Sequence, residues 1–155
     1  IVKEIREVVS VLSHKAKKSG VEIELQLPVS QPAFGSPLKF HQIIANLLSN
    51  AIDAYAKVPS GPSRAPIVMA VVNNLEAVSI SVTDAGCGMT EAQQVRVFEP
   101  FFTTKDIESG MGIGLSGTKN IVEKDFHGTI VFTSIAGRGS CFTVRLPHAT
   151  SPATT

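Results

Sequence analysis

The feature that most limits how this chain can fold is the stretch of residues 84–114, which links a β-branched segment to a helical one and is repeatedly broken by glycine. Apart from a short helical pattern at residues 91–97, it carries no regular apolar period. A loop region of that length inside a compact domain is more often functional than idle. Two β-branched runs, residues 67–72 and 78–82, precede it and are joined by Asn73, Asn74, Leu75 and Glu76 in the manner of a hairpin. A helical pattern over residues 115–126 follows it, and then two strands, residues 129–133 and 140–146, around a turn at residues 137–139.

Upstream, Ile1, Ile5, Val8 and Leu12 recur at the seam spacing of a helix that packs on another helix. That spacing serves equally a helix docked on its own domain and the end of a coiled-coil stalk. Gly20 stops this helix, and Val21, Ile23, Leu25 and Leu27 then alternate with Glu22, Glu24 and Gln26 as a half-buried strand does. After a proline-containing loop, residues 38–56 form a helix whose apolar face is Ile43, Ile44, Leu47, Leu48, Ala51 and Ile52, ended by Pro59, Gly61 and Pro62. Helix, strand, helix, two strands, loops, helix, two strands predicts an α+β fold, a two-layer sandwich with a mixed, mostly antiparallel sheet covered on one face by helices. No GxxxxGK[ST] occurs and the glycines do not follow the first strand, so neither a P-loop nor a dinucleotide-binding fold is indicated.

With 155 residues, 43% of them hydrophobic, the chain can bury a core without metal or disulfide help. Fourteen basic and thirteen acidic residues give a net charge of +1 with no basic stripe, which argues against nucleic acid as a partner. Cys87 and Cys141 are too few for a disulfide framework or a zinc site, so a cytoplasmic location is expected. No segment is apolar for long enough to span a bilayer, and Lys3, Glu4, Arg6 and Glu7 are unlike a signal peptide. A start at Ile1 without methionine leads us to expect a piece of a larger protein.

Four short signals carry chemistry, and their order matters more than any one of them. Asn46, Asn50 and Asp53 share a face of the long helix, and an amide oxygen suits Mg²⁺, a cation that keeps waters and takes its other ligands from phosphates. Taken alone, the three also describe a solvated polar face. Asp84-Ala85-Gly86-Cys87-Gly88 places a carboxylate at a strand end beside backbone that can approach a flat ligand, though a plain turn also begins with Asp. Gly110, Gly112 and Gly114 run into a helix, where backbone N–H groups and the positive helix end suit phosphates. Gly137-Arg138-Gly139-Ser140 turns into the last strand.

In this order the series NLLSNAIDA (residues 46–54), DAGCGM (84–89), FEPFFTTK (98–105), GMGIGLS (110–116) and GRGS (137–140) resembles the boxes of sensor histidine kinase catalytic domains. Those domains belong to the Bergerat-fold superfamily shared with DNA gyrase, heat-shock chaperones and mismatch-repair proteins; the lid sequence looks most like the nitrogen-regulator branch. The resemblance spans roughly residues 20–147 and implies Mg²⁺ and ATP as cofactors. It assigns Asn50 to the metal, Asp84 to the adenine amino group, Ser140 to the same ring edge through water, and Gly86, Gly88 and Met89 to the adenine loop. Gly110, Gly112, Gly114 and Leu115 would face the phosphates, and residues 98–110 would form a mobile lid with Lys105 reaching the nucleotide. Phe98, Phe101 and Phe102 read equally as lid anchors or as a core cluster.

Asn46 stands where the hydrolysing members of the superfamily usually carry a glutamate that activates water, and an amide cannot act as a general base. Phosphoryl transfer to an external nucleophile, with Asn46 and Lys105 as the catalytic side chains, is therefore expected over hydrolysis. The rival readings are an ATP hydrolase or serine kinase of the same superfamily and a degenerate nucleotide-sensing module. Asp53 stands where many histidine kinases have a basic residue, which limits the role the resemblance implies for it to the surroundings of hydrated metal. Ser36 likewise replaces a commonly acidic residue, with no consequence that follows from the sequence. None of His14, His41, His127 and His148 is followed by the residues typical of the family's phospho-acceptor. The acceptor is thus expected upstream of Ile1, on a dimerisation and phosphotransfer domain of a homodimeric parent that passes the phosphoryl to a response regulator. Residues 1–18 read as the end of the dimerisation helix and its linker, 19–147 as the ATP-binding domain, and 148–155 as a frayed tail.

Overall fold

A computed structural model of the chain describes residues 2–27, 37–56, 65–73, 76–99 and 114–147. Helix α1 (Val2–Lys18) is followed by β1 (Ile23–Gln26), α2 (Pro37–Asp53), the strands β2 (Ile67–Asn73) and β3 (Ala77–Asp84), and a short α3 (Glu91–Arg96). Helix α4 (Gly114–Asp125) and strands β4 (Thr129–Ile135) and β5 (Gly139–Pro147) complete the order.

The seam of α1 is used within the chain: Ile5, Val8 and Ala16 are buried in the same core cluster as the apolar face of α2. Its end is a glycine cap. Gly20 lies at φ +70°, its N–H bonds Lys17 O at 3.1 Å, and the Val21 N–H reaches back to Ala16 O at 3.0 Å. This wrapped turn brings Val21 onto Ala16, both of them buried. It also explains why the strand begins at Ile23 rather than at Val21, where the alternation first appears.

The five strands lie in the order β1-β2-β3-β5-β4, with β1 parallel to β2 and every other pair antiparallel. Alternation decides the faces. Ile67, Met69 and Val71 on β2, Val78, Ile80 and Val82 on β3, and Phe142, Val144 and Leu146 on β5 are buried, while Thr83, Val131 and Arg145 are exposed. The helices cover the first of these faces, giving the two-layer α/β sandwich expected from the sequence. Among the described residues, no helix is long and apolar enough to cross a membrane.

Helix α2 is the most enclosed element, with Ile43, Ile44, Leu47, Leu48, Ala51 and Ile52 each at most 2% exposed. Leu48→Ala is expected to lower unfolding stability by about 2–5 kcal/mol through lost burial and a residual cavity. Leu38→Ala on the same helix, at a position 69% exposed, is expected to change it by less than about 0.5 kcal/mol. Urea unfolding of the two variants checks the contrast.

Candidate nucleotide site

The last turn of α2, the loop after β3 and the β4–β5 turn are laced together by backbone. The Cys87 N–H donates to Ala54 O at 2.8 Å and the Gly137 N–H donates to Cys87 O at 2.7 Å. Glycine is required at these contacts. A Cβ on Gly86 would lie 2.5 Å from Ala54 O, one on Gly88 2.1 Å from Ile135 O, and one on Gly139 2.1 Å from Asp84 O. Gly86 and Gly88 therefore serve close packing of the loop against its neighbours, a physical reason for the DAGCGM spacing.

Asp84 ends β3, opposite Ser140 on β5. It is 5% exposed, and its carboxylate accepts the Gly86 N–H at 2.9 Å. Burial pushes its pKa above the ordinary 3.8, against the opposing pull of hydrogen bonds from the Gly86 and Ser140 backbone. A buried carboxylate of this kind is suited to accept from an uncharged N–H or amino group of a ligand, which costs less desolvation than a cation.

Around it lies a network that the motifs alone do not reveal. The Tyr55 hydroxyl accepts the Ala85 N–H at 2.8 Å and donates to Ala65 O at 2.9 Å. Ser134 Oγ accepts the Met89 N–H at 2.8 Å and lies 2.8 Å from Ser140 Oγ. The Gln94 amide donates to Met89 O at 2.9 Å and to Ser134 O at 3.1 Å, which fastens α3 to the same loop. Helix α3 itself starts at Thr90 with a capping box shared with Gln93. Tyr55 could have been suspected as the chain's lone tyrosine, since a buried phenol needs a partner; Ser134 and Gln94 carry no such signal.

The polar stripe of α2 is placed as its spacing predicts, with Asn46, Asn50 and Asp53 all half-buried. Asn46 donates to Thr118 Oγ1 at 3.1 Å, joining α2 to the first turns of α4. Asp53 is bound to Lys15 of α1 at 2.9 Å. Gly114 opens α4, and Leu115 packs against the core. Phe98 packs edge-on against Phe132, with ring centroids 5.7 Å apart, under the ammonium of Lys119. Ser36, Phe101, Phe102, Lys105, Gly110, Gly112, His148, most of the lid and the tail lie outside the described residues.

The described parts of the site are a half-buried polar stripe on α2, a buried carboxylate at the end of β3, and helix α4 joined to α2 through Asn46 and Thr118. The chain belongs to the family described as histidine kinase-, DNA gyrase B- and HSP90-like ATPases, whose model matches residues 35–150. It is thus an ATP-binding catalytic domain of the histidine kinase type. Over 143 residues, 92% of the chain, it is 33% identical to sporulation kinase B of Bacillus subtilis, spanning 32% of that protein's length. Over 144 residues it is 32% identical to sensor protein TdiS of Thauera aromatica, spanning 26% of its length. The catalytic domain of histidine kinase ThkA, in a nucleotide-free form, superposes with a TM-score of 0.80 at 26% identity, over 96% of this chain and 92% of that one.

Two expectations follow from the geometry. Because burial favours the neutral acid, protonation of Asp84 in the folded chain begins above the ordinary value of 3.8. On the role that the resemblance implies for Asp84, accepting from the adenine amino group, adenosine affinity is expected to fall as pH is lowered towards that value. The fold itself gains from protonating Asp84 across the same window, so circular dichroism should stay native while calorimetric affinity declines. Tyr55→Phe, which strips Ala65 O and the Ala85 N–H of their shared partner, is expected to cost about 1–3 kcal/mol of stability in urea unfolding.

Proposed function

We propose that this chain is the Mg-ATP-binding catalytic domain of a two-component sensor histidine kinase. In the full protein it donates the γ-phosphoryl to a histidine on an upstream dimerisation and phosphotransfer domain, from which a response regulator aspartate receives it. The parent is a homodimer, and this domain works in the cytoplasm. The observation that carries the reading is the buried Asp84 carboxylate at the end of β3, beside a loop tied to the last turn of the helix that bears Asn50.

Each group then has a task. Asp84 accepts from the adenine amino group, with Ser140 beside it, and Met89 is held by Ser134 at the loop's far side. Asn50 holds the metal through its amide oxygen, a donor that fits a hard cation content with one protein ligand. Mg²⁺, when bound, supplies neutralising charge to the phosphates. The N-terminus of α4, at Gly114 and Leu115, offers backbone N–H groups to those phosphates. Gly110, Gly112 and Lys105 are assigned to the same phosphates by the resemblance alone. Asn46 binds Thr118 and offers no general base, so this site holds ATP for an incoming nucleophile and does not activate water.

Calorimetric titration of the 155-residue chain with ATP, with and without Mg²⁺, tests this. Wild type is expected to bind. Asp84→Asn should lose binding, because the amide offers one acceptor oxygen where two backbone donors and the adenine amine compete. Asn50→Ala should lose chiefly the Mg²⁺ dependence. Absence of any ATP binding by wild type overturns the reading, as does steady ATP turnover by the chain alone.

A further inference from the structure

Helix α1 contributes none of the nucleotide motifs, yet it sends a cation into the face that carries them. Lys15 Nζ lies 2.9 Å from Asp53 Oδ1 and donates to Ser49 Oγ at 2.7 Å. Asp53 follows Asn50 by three residues, so the two side chains are neighbours on one face of α2. The side chains of Lys15 and Asp53 are 37% and 19% exposed, at the margin of solvent, where charges act on one another more strongly than in open water. Lys15 stands in the last turn of α1, immediately before the glycine cap. Burial of Ile5, Val8 and Ala16 holds that helix on α2, and His41 Nε2 of α2 lies 3.4 Å from Glu7 Oε2 of α1.

A triphosphate carries several negative charges, and a bare carboxylate next to Asn50 would repel it. We infer that Lys15 is a positioning residue for the nucleotide's phosphates: by neutralising Asp53 it makes affinity for the triphosphate depend on α1 being docked against α2. This rests on the reading of Asn50 as the residue on the phosphate side. Adenine recognition, centred on Asp84 at the end of β3, is independent of the Lys15 charge. A shift of α1 therefore changes how tightly ATP is held without disturbing the adenine pocket, which makes this helix a place where a neighbouring domain can act on the site.

The test compares ATP with adenosine, which lacks phosphates, by calorimetry on the 155-residue chain. Lys15→Met is expected to weaken ATP binding on the order of fivefold and to leave adenosine binding unchanged. The deficit should shrink as salt is raised. Lys15→Arg should retain wild-type affinity, and Lys15→Met combined with Asp53→Asn should recover it, since no uncompensated charge remains. Equal loss of ATP and adenosine binding in Lys15→Met, no loss of either, or failure of the double variant to recover overturns the inference. Asn50→Ala separates the two levels. If it loses Mg²⁺ dependence while Lys15→Met is silent, only the role of Lys15 falls; if it keeps full Mg²⁺ dependence, the site reading falls and takes this inference with it.

Discussion

Helix α2 is packed against α1, α4 and β3, and its burial is the constraint from which the rest of the structure follows. An apolar face from Ile43 to Ile52 is almost wholly removed from water, and burial of that kind is the dominant favourable term in folding. Once that face is committed to the core, helical geometry allows the stripe of Asn46, Asn50 and Asp53 only one remaining direction. The polar stripe is thus oriented by the hydrophobic one. Asn46 reaches α4 and Asp53 reaches α1, so each of its outer members is engaged by a neighbouring helix.

At the other end of the site the controlling interactions are polar. Backbone groups of the loop after β3 have no ladder to satisfy them, and unpaired buried groups of this type are costly. Ala54 O, Tyr55 Oη, Ser134 Oγ and the Gln94 amide provide partners from the turn after α2, from β4 and from α3. Beside them Asp84 accepts from the Gly86 and Ser140 backbone, in a site whose burial opposes its charge. A buried carboxylate of this kind suits recognition of an amine, because a ligand amino group adds a donor contact that the empty fold does not contain.

Much of this was legible before any coordinates. The two-residue alternation of Val21 to Leu27, the helical face of α2 and the β-branched runs at β2 and β3 identify elements whose ends the structure moves by only a few residues. Five short boxes in order identified the family, since glycine spacing and an Asp at a strand end leave a recognisable trace even where each alone is a common turn. The destination of the seam on α1 was not legible, because a spacing of three and four describes any helix with a partner and does not name the partner.

What the sequence determined by itself, then, is local and periodic: which segments become helix or strand, where glycine must stand, and which boxes mark the family. Which side chains meet across the chain was decided only by tertiary packing. Lys15 and Ser49 are 34 residues apart, Ala85 and Tyr55 30, and Asn46 and Thr118 72. No local pattern encodes such pairs, since they exist only after α1, α2 and α4 have buried their apolar faces against one another and the sheet. The chemistry of the site is written in its motifs, while its charge balance, with Asp53 answered by Lys15, comes from how the helices pack.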